Sequence, residues 1–312
     1  MGTYDSLESV AKIIAQAQKS GENPVVVCSA MSQVTNKLHA IEKFLVEQDI
    51  KQAHELLEVI KSGHLEVAKK FEVEDAFLKL GEEIFEILNE LISHGSELSD
   101  NQKALLIACG ERLSVRLLSA ILNVRDIDSV PVDSTFIRTL GRSWFEDDVD
   151  WEQTKLQVSA SLDPLLSENK IPVVTGYFGT TVDGYFASLG RGSSDFTGAI
   201  MSVCLNRPCL EIWTDVDGFM TADPRIVPQA DVLPELNYQE VTELCFFGAK
   251  VLHPKTIRPV VDNGGEVWIK NTFSSEMHGT RIVKQSQEST RTVLSIASKL
   301  TVVASFDLFD VT

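Results

Sequence analysis

The sequence predicts an α/β fold in which helices cover a mainly parallel sheet, and two observations carry this prediction. The first is a continuous apolar run at 24–28 (PVVVC), as expected of a strand that is buried on both faces. The second is an alternation of helical segments with short apolar ones, which is typical of βαβ units. The apolar segments of this second part lie at 171–178, 209–214, 266–270, 292–297 and 301–306.

The part of the chain before residue 124 is predicted to be mostly helical. Asp5-Ser6-Leu7-Glu8 resembles a capping box that opens the first helix, and Gly21 is suited to end it. A helical region rich in Glu, Lys, Leu and Ala follows the apolar run, over about 35–123, and its breaks are expected near Asp49, Gly63 and Gly95. Further along, Asp183-Gly184 between alternating residues predicts a β-hairpin.

Composition excludes several classes of function. The net charge of −17, without a cluster of Lys or Arg, argues against nucleic-acid binding. The sequence has no apolar run of the roughly 18 residues that a membrane span needs, and its N-terminus lacks a basic region, so a cytoplasmic protein without a membrane partner is predicted. The five cysteines form no CxxC pair and the six histidines show no ligand spacing, so no metal site is predicted.

A glycine-rich turn precedes a helical segment at 190–195 (GRGSSD). Ser193, Ser194 and Asp195 are residue types that favour the start of a helix. The free N–H groups of such a helix start attract anions, and Arg191 adds a fork of donors matched to a carboxylate or phosphate. A capped helix with a surface arginine is the alternative interpretation.

A second cluster follows the apolar segment at 209–213, in WTDVDGFMTADPR. Ligands of open α/β sheets bind beyond the carboxyl ends of the strands. Acids there can hold ribose hydroxyls or Mg²⁺, and Arg225 can contact phosphate. An acidic surface turn remains the alternative.

Two further positions combine charge with an unusual setting. Lys250, in FFGAKVLHP, is expected at the end of a helix, where it could serve a ligand or only complement the helix dipole. Gly110-Glu111 interrupts an apolar helix, which predicts a close approach at Gly110. The carboxylate of Glu111 could hold a substrate ammonium group, or the pair could form a solvated turn.

Phosphoryl transfer to a carboxylate fits this set of residues, because it needs positioning and charge neutralisation but no general base. The motifs together resemble the aspartokinases of the amino-acid kinase family. They occur in the family's order, at 25–38, 110–114, 176–184, 189–195, 211–225, 247–254 and 267–273. TDVDG, DPR and AKVLHP at these spacings are the most specific part of the resemblance.

The resemblance implies a three-layer sandwich with a mainly parallel central sheet between helices. It also implies transfer of phosphate from ATP, with Mg²⁺, to the side chain of L-aspartate, the first step toward lysine, threonine and methionine. A homodimer is implied for the full-length protein. Arg191, Asp195 and Lys250 would be catalytic. The implied aspartate-binding residues are Ser29, Thr35, Glu111, Arg191 and Asp195, and the implied nucleotide-binding residues are Thr214, Asp215, Met220, Arg225, Lys250 and Val251.

The sequence departs from the family pattern at several positions. Ser193 replaces a usual glycine, and Met220 stands where tyrosine is common. The family's first strand and its Lys-Phe-Gly-Gly-Thr loop are expected to precede this chain, and a regulatory ACT-like module is expected to begin near its end. The implied division is therefore a catalytic domain over 1–283, with a helical insertion at about 35–123, and the start of a regulatory module over 284–312.

Two other interpretations stay open at this stage. One is a kinase of the same fold with another acceptor, such as glutamate, acetylglutamate, carbamate or a nucleotide. The other is a non-catalytic remnant or regulatory fragment of an aspartokinase.

Overall fold

The structure is a computed structural model that describes residues 3–95, 97–141, 148–190, 192–249 and 251–285. Helices dominate the first half of the described chain, and strands alternate with helices in the second half. The helices are α1 Tyr4–Lys19, α2 Val34–Val46, α3 Ile50–Lys70, α4 Glu74–Ser93, α5 Asp100–Asn123, α6 Trp151–Ser167, α7 Ser193–Cys204, α8 Tyr238–Phe246 and α9 Pro254–Asp262. None of the helices in these ranges is both long and apolar enough to cross a membrane.

The strands form three sheets. They are β1 Val26–Cys28, β2 Ser129–Val132, β3 Ile171–Thr175, β4 Phe178–Thr180, β5 Phe186–Ser188, β6 Cys209–Thr214, β7 Glu235–Asn237, β8 Glu266–Asn271 and β9 Thr280–Val283. The first sheet has the order β1-β3-β2 and is parallel throughout. The second has the order β6-β8-β9-β7, in which only β8 and β9 run antiparallel. The prediction of an α/β fold with mainly parallel pairing is confirmed.

The first sheet is covered on both faces, because its side chains alternate between two hydrophobic cores. Ile171 and Val173 of β3 point into the core built by α1 to α5. Val174, the next residue along, points into the core shared with α6 and α7. This alternation is the period-two pattern of a strand, and it places β3 in the middle of three layers.

The second sheet packs one face on α7, α8 and α9. Ile212, Val267, Ile269 and Ile282 supply the strand side of this core, and Val260 belongs to its helix side. The opposite face carries Trp213, Trp268, Glu211 and Lys270, whose side chains interact with one another. Helix α7 contacts both β1 and β6, so it joins the two sheets.

Local sequence signals predicted most elements but misplaced several boundaries. The capping box of α1 is made by Thr3 with Ser6, not by Asp5. Gly63 does not break the helix, since it lies within α3, and the break falls instead at Phe71–Val73. The expected strand at 171–178 is divided into β3 and β4 by Gly176-Tyr177. The hairpin at Asp183-Gly184 is confirmed, with β4 and β5 as its arms.

The strand at 24–28 is shorter and less buried than its apolar sequence predicts. Only Val26–Cys28 is extended, and only Cys28 of these is fully buried. Within the described chain β1 is an edge strand, paired to β3 alone. The predicted strands at 292–297 and 301–306 lie outside the described residues, and the predicted division near residue 283 stays a prediction.

Helix α5 approaches α2 and the turn after β1 closely at Gly110. A Cβ atom on Gly110 would lie 3.1 Å from Ala30 Cβ and 3.2 Å from Leu38 Cδ1, closer than ordinary van der Waals contact. The expectation of a close approach at this glycine is therefore confirmed. The alternative of a solvated turn at Gly110-Glu111 is wrong, because both residues are buried.

We predict opposite effects of alanine at two helical glycines. Gly63→Ala, with nothing within 4 Å of the new Cβ, should stabilise the protein by up to about 1 kcal/mol through helix propensity. Gly110→Ala gains the same propensity but overpacks the contact with Ala30, which costs about 1–3 kcal/mol. Urea unfolding of the two variants should give free energies at least ~1 kcal/mol apart, with Gly110→Ala the less stable. Equal stabilisation of both variants would show that Ala30 and Leu38 can move to accommodate the new Cβ atom without a cost in stability.

Candidate functional site

The carboxyl ends of β1 and β3 meet the start of α7. Gly176 follows β3, and its N–H donates to the carbonyl of Cys28 at the end of β1, 2.8 Å away. Ser29 follows β1, and its hydroxyl donates to Ser194 Oγ in the first turn of α7 at 2.8 Å. A Cβ on Gly176 would lie 2.3 Å from Ser194 Oγ, so only glycine at this position lets the segment after β3 approach the start of α7 this closely.

The floor of this junction holds a buried carboxylate. Glu111 of α5 is 4% exposed, and its Oε1 accepts a hydrogen bond from Ala30 N at 3.3 Å. Its Oε2 is also buried but has no hydrogen-bond partner among the described residues. Burial raises the pKa of Glu111 to about 8, against the smaller opposing effect of its backbone hydrogen bonds. An unpaired, buried carboxylate oxygen is suited to a ligand that brings a positive charge.

Asp195 is the second acid of the candidate site. It lies in the first turn of α7, which begins after Gly192 in the left-handed conformation (φ 67°). The structure gives its carboxylate no hydrogen bond from a described residue, and burial raises its pKa to about 6. Ser193 to Asp195 are helical residues of α7, not its N-cap, because Gly192 takes the capping position. Arg191 lies outside the described residues.

Thr35 is in the first turn of α2 and is half-buried. It follows the Ser29–Ala30 turn by five residues, after Gln33 in the left-handed conformation. The structure therefore brings α2 to the junction, but among the described residues no side-chain hydrogen bond joins Thr35 to Ser29 or Glu111.

Tyr177 is a candidate that sequence reasoning missed. Its φ of 76° is in the left-handed region, where non-glycine residues are uncommon. Burial raises the pKa of Tyr177, a hydrogen bond with Ser188 opposes this, and the charges of Glu111 and Glu42 raise it further. The side chain of Tyr177 therefore interacts electrostatically with Glu111. The available signal for Tyr177 was its position directly after a strand and Gly176. For Ser194, the signal was its position at the predicted helix start.

Two of the predicted nucleotide-binding residues, Thr214 and Asp215, lie at the carboxyl end of β6 in the second sheet. Thr214 ends β6, its carbonyl accepts from Thr272 N after β8 at 2.8 Å, and its hydroxyl donates to Asp215 Oδ1 at 3.3 Å. Asn271 donates to Asp217 Oδ1 at 2.6 Å. The edge therefore offers hydroxyl and carboxylate groups, with Asp215 exposed to solvent. This is the sheet edge at which α/β proteins bind ligands.

The other predicted nucleotide contacts are placed differently. Arg225 is exposed and forms a two-point ion pair with Asp223, at 2.9 Å for each bond. Met220 is half-buried, and its backbone forms an isolated antiparallel β-bridge with Val232. Val251 packs against the core of the second sheet. Helix α8 ends at Phe246. Lys250, which was predicted to end a helix, lies outside the described residues.

Helix α7 connects the two groups of candidates. Its start carries Ser194 at the junction with Ser29, while Ala199 belongs to the core of the second sheet. Gly198 allows this second contact, since a Cβ there would lie 3.0 Å from Leu210 Cδ1 of β6. No group of three or more potential metal-ligating side chains occurs within the described ranges.

Glu111 should make the stability of the ligand-free protein depend on pH. The folded-state pKa of about 8 lies above the ordinary value of 4.5, so between these values the folded protein keeps a proton that the unfolded chain releases. Stability therefore falls as pH rises through this window. Glu111→Gln removes this loss, and its stability relative to the parent should rise from pH 5 to pH 9 by an amount on the order of 4 kcal/mol.

Urea unfolding at several pH values measures this difference directly. Glu58→Gln, at an exposed position of α3, is the matched control and should show no such trend. A stability difference for Glu111→Gln that does not change with pH would mean that Glu111 ionises at its ordinary pKa.

Comparison with known proteins adds the family. A profile described as the amino acid kinase family matches residues 1–271. Aspartokinase of Schizosaccharomyces pombe is 34% identical over 287 residues, which are 88% of this chain and 55% of the relative. Aspartokinase 1 (chloroplastic) of Arabidopsis thaliana is 31% identical over 299 residues, 95% of this chain and 52% of the relative. The chain spans about half the length of these curated relatives.

A solved structure agrees with the profile. E. coli aspartokinase III, in complex with aspartate and ADP, superposes with a TM-score of 0.82 at 27% identity, over 92% of this chain and 63% of that one. The three-layer architecture expected from the motifs is confirmed by this match. A profile that covers most of the chain, with a solved relative of the same fold, establishes that the chain belongs to the amino acid kinase family.

Proposed function

We propose that this chain is the kinase domain of an aspartokinase, which transfers the γ-phosphoryl group of ATP to the side-chain carboxylate of L-aspartate. The products would be 4-phospho-L-aspartate and ADP. This reaction would be the first step toward lysine, threonine and methionine. The observation that carries the proposal is the buried Glu111, with one oxygen unpaired, beside the Ser29–Ser194 contact. The similarity to aspartokinases supports the same acceptor.

The acceptor is expected to bind through both of its α-groups. The free oxygen of Glu111 would take the ammonium group, and Arg191 would hold the α-carboxylate with a two-point contact. An ammonium ion next to Glu111 stabilises the charged form of this carboxylate, so binding at neutral pH would release a proton from it. Ser29, Thr35 and Asp195 would complete the amino-acid pocket. Acetylglutamate, which lacks a free ammonium group, fits this arrangement poorly.

The chemical step needs little more than alignment. The aspartate side chain is ionised at neutral pH, so its oxygen can attack the γ-phosphorus without a base, while the bond from that phosphorus to the bridging oxygen breaks and ADP leaves. Lys250 would neutralise charge on the phosphates, and the N-terminus of α7 would add its N–H groups.

The nucleotide is assigned to the edge of the second sheet. Thr214 and Asp215 would contact it at the end of β6, with Met220, Arg225 and Val251 nearby. Asp215 would help to hold a Mg²⁺ ion there, and this ion would neutralise charge on the nucleotide phosphates. The absence of a three-ligand cluster among the described residues is compatible with this role, since Mg²⁺ usually binds through one or two carboxylates, water and the substrate phosphates. A cytoplasmic location and a homodimer of the full-length protein belong to the same proposal.

Substrate preference tests the proposal. Hydroxylamine traps an acyl phosphate, so we expect a hydroxamate with L-aspartate and ATP, and at most a small signal with L-glutamate or N-acetylglutamate. The assay is best made on the protein at its natural length, with calorimetric binding of aspartate to the 312-residue chain beside it. Turnover of glutamate but not aspartate would move the acceptor to glutamate, and neither turnover nor binding would favour a non-catalytic role.

Arg191→Lys should separate the two substrates. Lysine keeps the charge but loses the planar fork, so we expect the KM for aspartate to rise about tenfold, with a much smaller change in the KM for ATP. Arg258→Lys, at an exposed ion pair of α9, is the matched control and should change neither constant. A change mainly in the KM for ATP would assign Arg191 to the nucleotide instead.

A further inference from the structure

Two arginines of α5 converge on one acid beside the candidate site. Asp133, directly after β2, accepts hydrogen bonds from Arg112 Nε at 2.8 Å and from Arg116 Nη1 at 2.9 Å. All three side chains are largely buried, with exposed fractions of 7% for Arg112, 12% for Arg116 and 19% for Asp133. We call Arg112, Arg116 and Asp133 the arginine clamp. Nothing in the proposed chemistry uses these residues directly.

The clamp is tied to several elements at once. Arg116 also donates to the carbonyls of Leu80 on α4 and of Arg112, each at 3.0 Å. The guanidinium of Arg112 lies over the ring of Phe186 on β5, 5.9 Å from its centre. Buried charges with this many partners are held in a single geometry, because any displacement leaves a charged group without its hydrogen bonds.

The acid of the clamp is fixed to the end of β3. Ser134, the next residue, donates its N–H to Thr175 Oγ1 at 2.8 Å and its hydroxyl to the carbonyl of Phe178 at 2.6 Å. Thr175 precedes Gly176, which contacts Ser194. Asp133 is therefore connected through two short steps to the junction where Ser29 and Ser194 meet.

Glu111 lies between two constraints on the rotation of α5. Successive residues of an α-helix are about 100° apart around its axis. Gly110, on one side of Glu111, is pressed against Ala30, and Arg112, on the other side, is held by Asp133. The direction in which Glu111 points is thus set from both sides.

We infer that Asp133 is a positioning residue of the amino-acid site, which sets the orientation of the Glu111 carboxylate through Arg112 and Arg116. This inference rests on the proposed function for its consequence in substrate binding. Asp133 touches no substrate. Its role is to hold the turn of α5 that carries Glu111 at the place where the Oε1 atom meets Ala30 N and the Oε2 atom stays free for a ligand.

Electrostatics agrees with this geometry. Burial alone would raise the pKa of Asp133, but the hydrogen bonds and charges of Arg116 and Arg112 outweigh it and hold the pKa below its ordinary value. The acid therefore stays ionised at neutral pH, and the clamp keeps its charge pairing while Glu111 changes its own protonation state.

A double-mutant cycle separates positioning from a general structural role. Asp133→Asn keeps the shape of the side chain but removes its charge. We expect it to weaken calorimetric binding of aspartate about tenfold when residue 111 is Glu, and by less than about twofold in the Glu111→Gln background, because residues that act through one another are not additive. Binding of a non-hydrolysable ATP analogue should stay unchanged. Equal weakening in both backgrounds, or no weakening in either, would overturn the inference.

Two control variants account for stability and position. Asp128→Asn, exposed in the same connection before β2, should leave aspartate binding unchanged. Val260→Ala, in the core of the second sheet, lowers stability away from the clamp and should also leave it unchanged. Weakened aspartate binding by Val260→Ala would mean that loss of stability alone explains the effect of Asp133→Asn.

A second arm of the experiment needs no substrate. In the ligand-free protein, the stability difference between Glu111→Gln and its Glu111 counterpart changes with pH, and the midpoint of this change is measured with Asp and with Asn at position 133. We expect the two midpoints to differ by at least about half a pH unit, since Asp133→Asn changes the environment of Glu111. Tyr177, Glu42, Arg112, Arg116, Glu83 and Cys109 are titratable groups around Glu111 and Asp133, and all remain in the four variants of the cycle. If the parent protein binds no aspartate, the proposed function fails while this arm still decides the role of Asp133: an unmoved midpoint would contradict it.

Discussion

The close contact between α5 and the turn after β1 is the constraint on which the site depends. Gly110 lets the helix axis approach Ala30 and Leu38 at a distance that no larger residue permits without displacement. This approach buries Glu111 at the carboxyl end of a parallel sheet, where its Oε1 atom accepts a hydrogen bond from Ala30 N and its Oε2 atom has no partner among the described residues. The packing of α5 therefore removes water from the Glu111 carboxylate, and the arginine clamp on the other side of the helix holds the turn of α5 that carries it.

The rest of the site is assembled from strand ends and one connecting helix. The first sheet lies between two cores, so its carboxyl end has a defined direction, and Gly176 brings α7 against that end. The same helix contributes Ala199 to the core under the second sheet. A shift of α7 would therefore change both its contact with Ser29 and its contact with Leu210 of β6.

Periodicity and turn chemistry predicted the parallel sheet, the hairpin at Asp183-Gly184 and the close approach at Gly110, because each depends on local residue types. The signals failed where packing decides. Gly63 stays helical because buried residues before and after it, such as Ile60 and Val67, pack α3 against the core. The clamp was not predicted because Arg112 and Asp133 are 21 residues apart and meet only in the folded chain. The contact of Ser194 with Ser29 and the position of Tyr177 were not predicted for the same reason, since both depend on the close approach at Gly176, between β3 and β4.

The ion pair of Arg225 with Asp223 has a consequence for the rate at which a charged ligand arrives. An arginine paired to a neighbour two residues away contributes little field at a distance, and the chain carries a net charge of −17. A multiply charged anion therefore diffuses toward this edge against a repulsive potential. Added salt shortens the Debye length, about 8 Å at physiological ionic strength, so encounter with such an anion is expected to quicken as salt increases, opposite to proteins whose clefts attract their ligands.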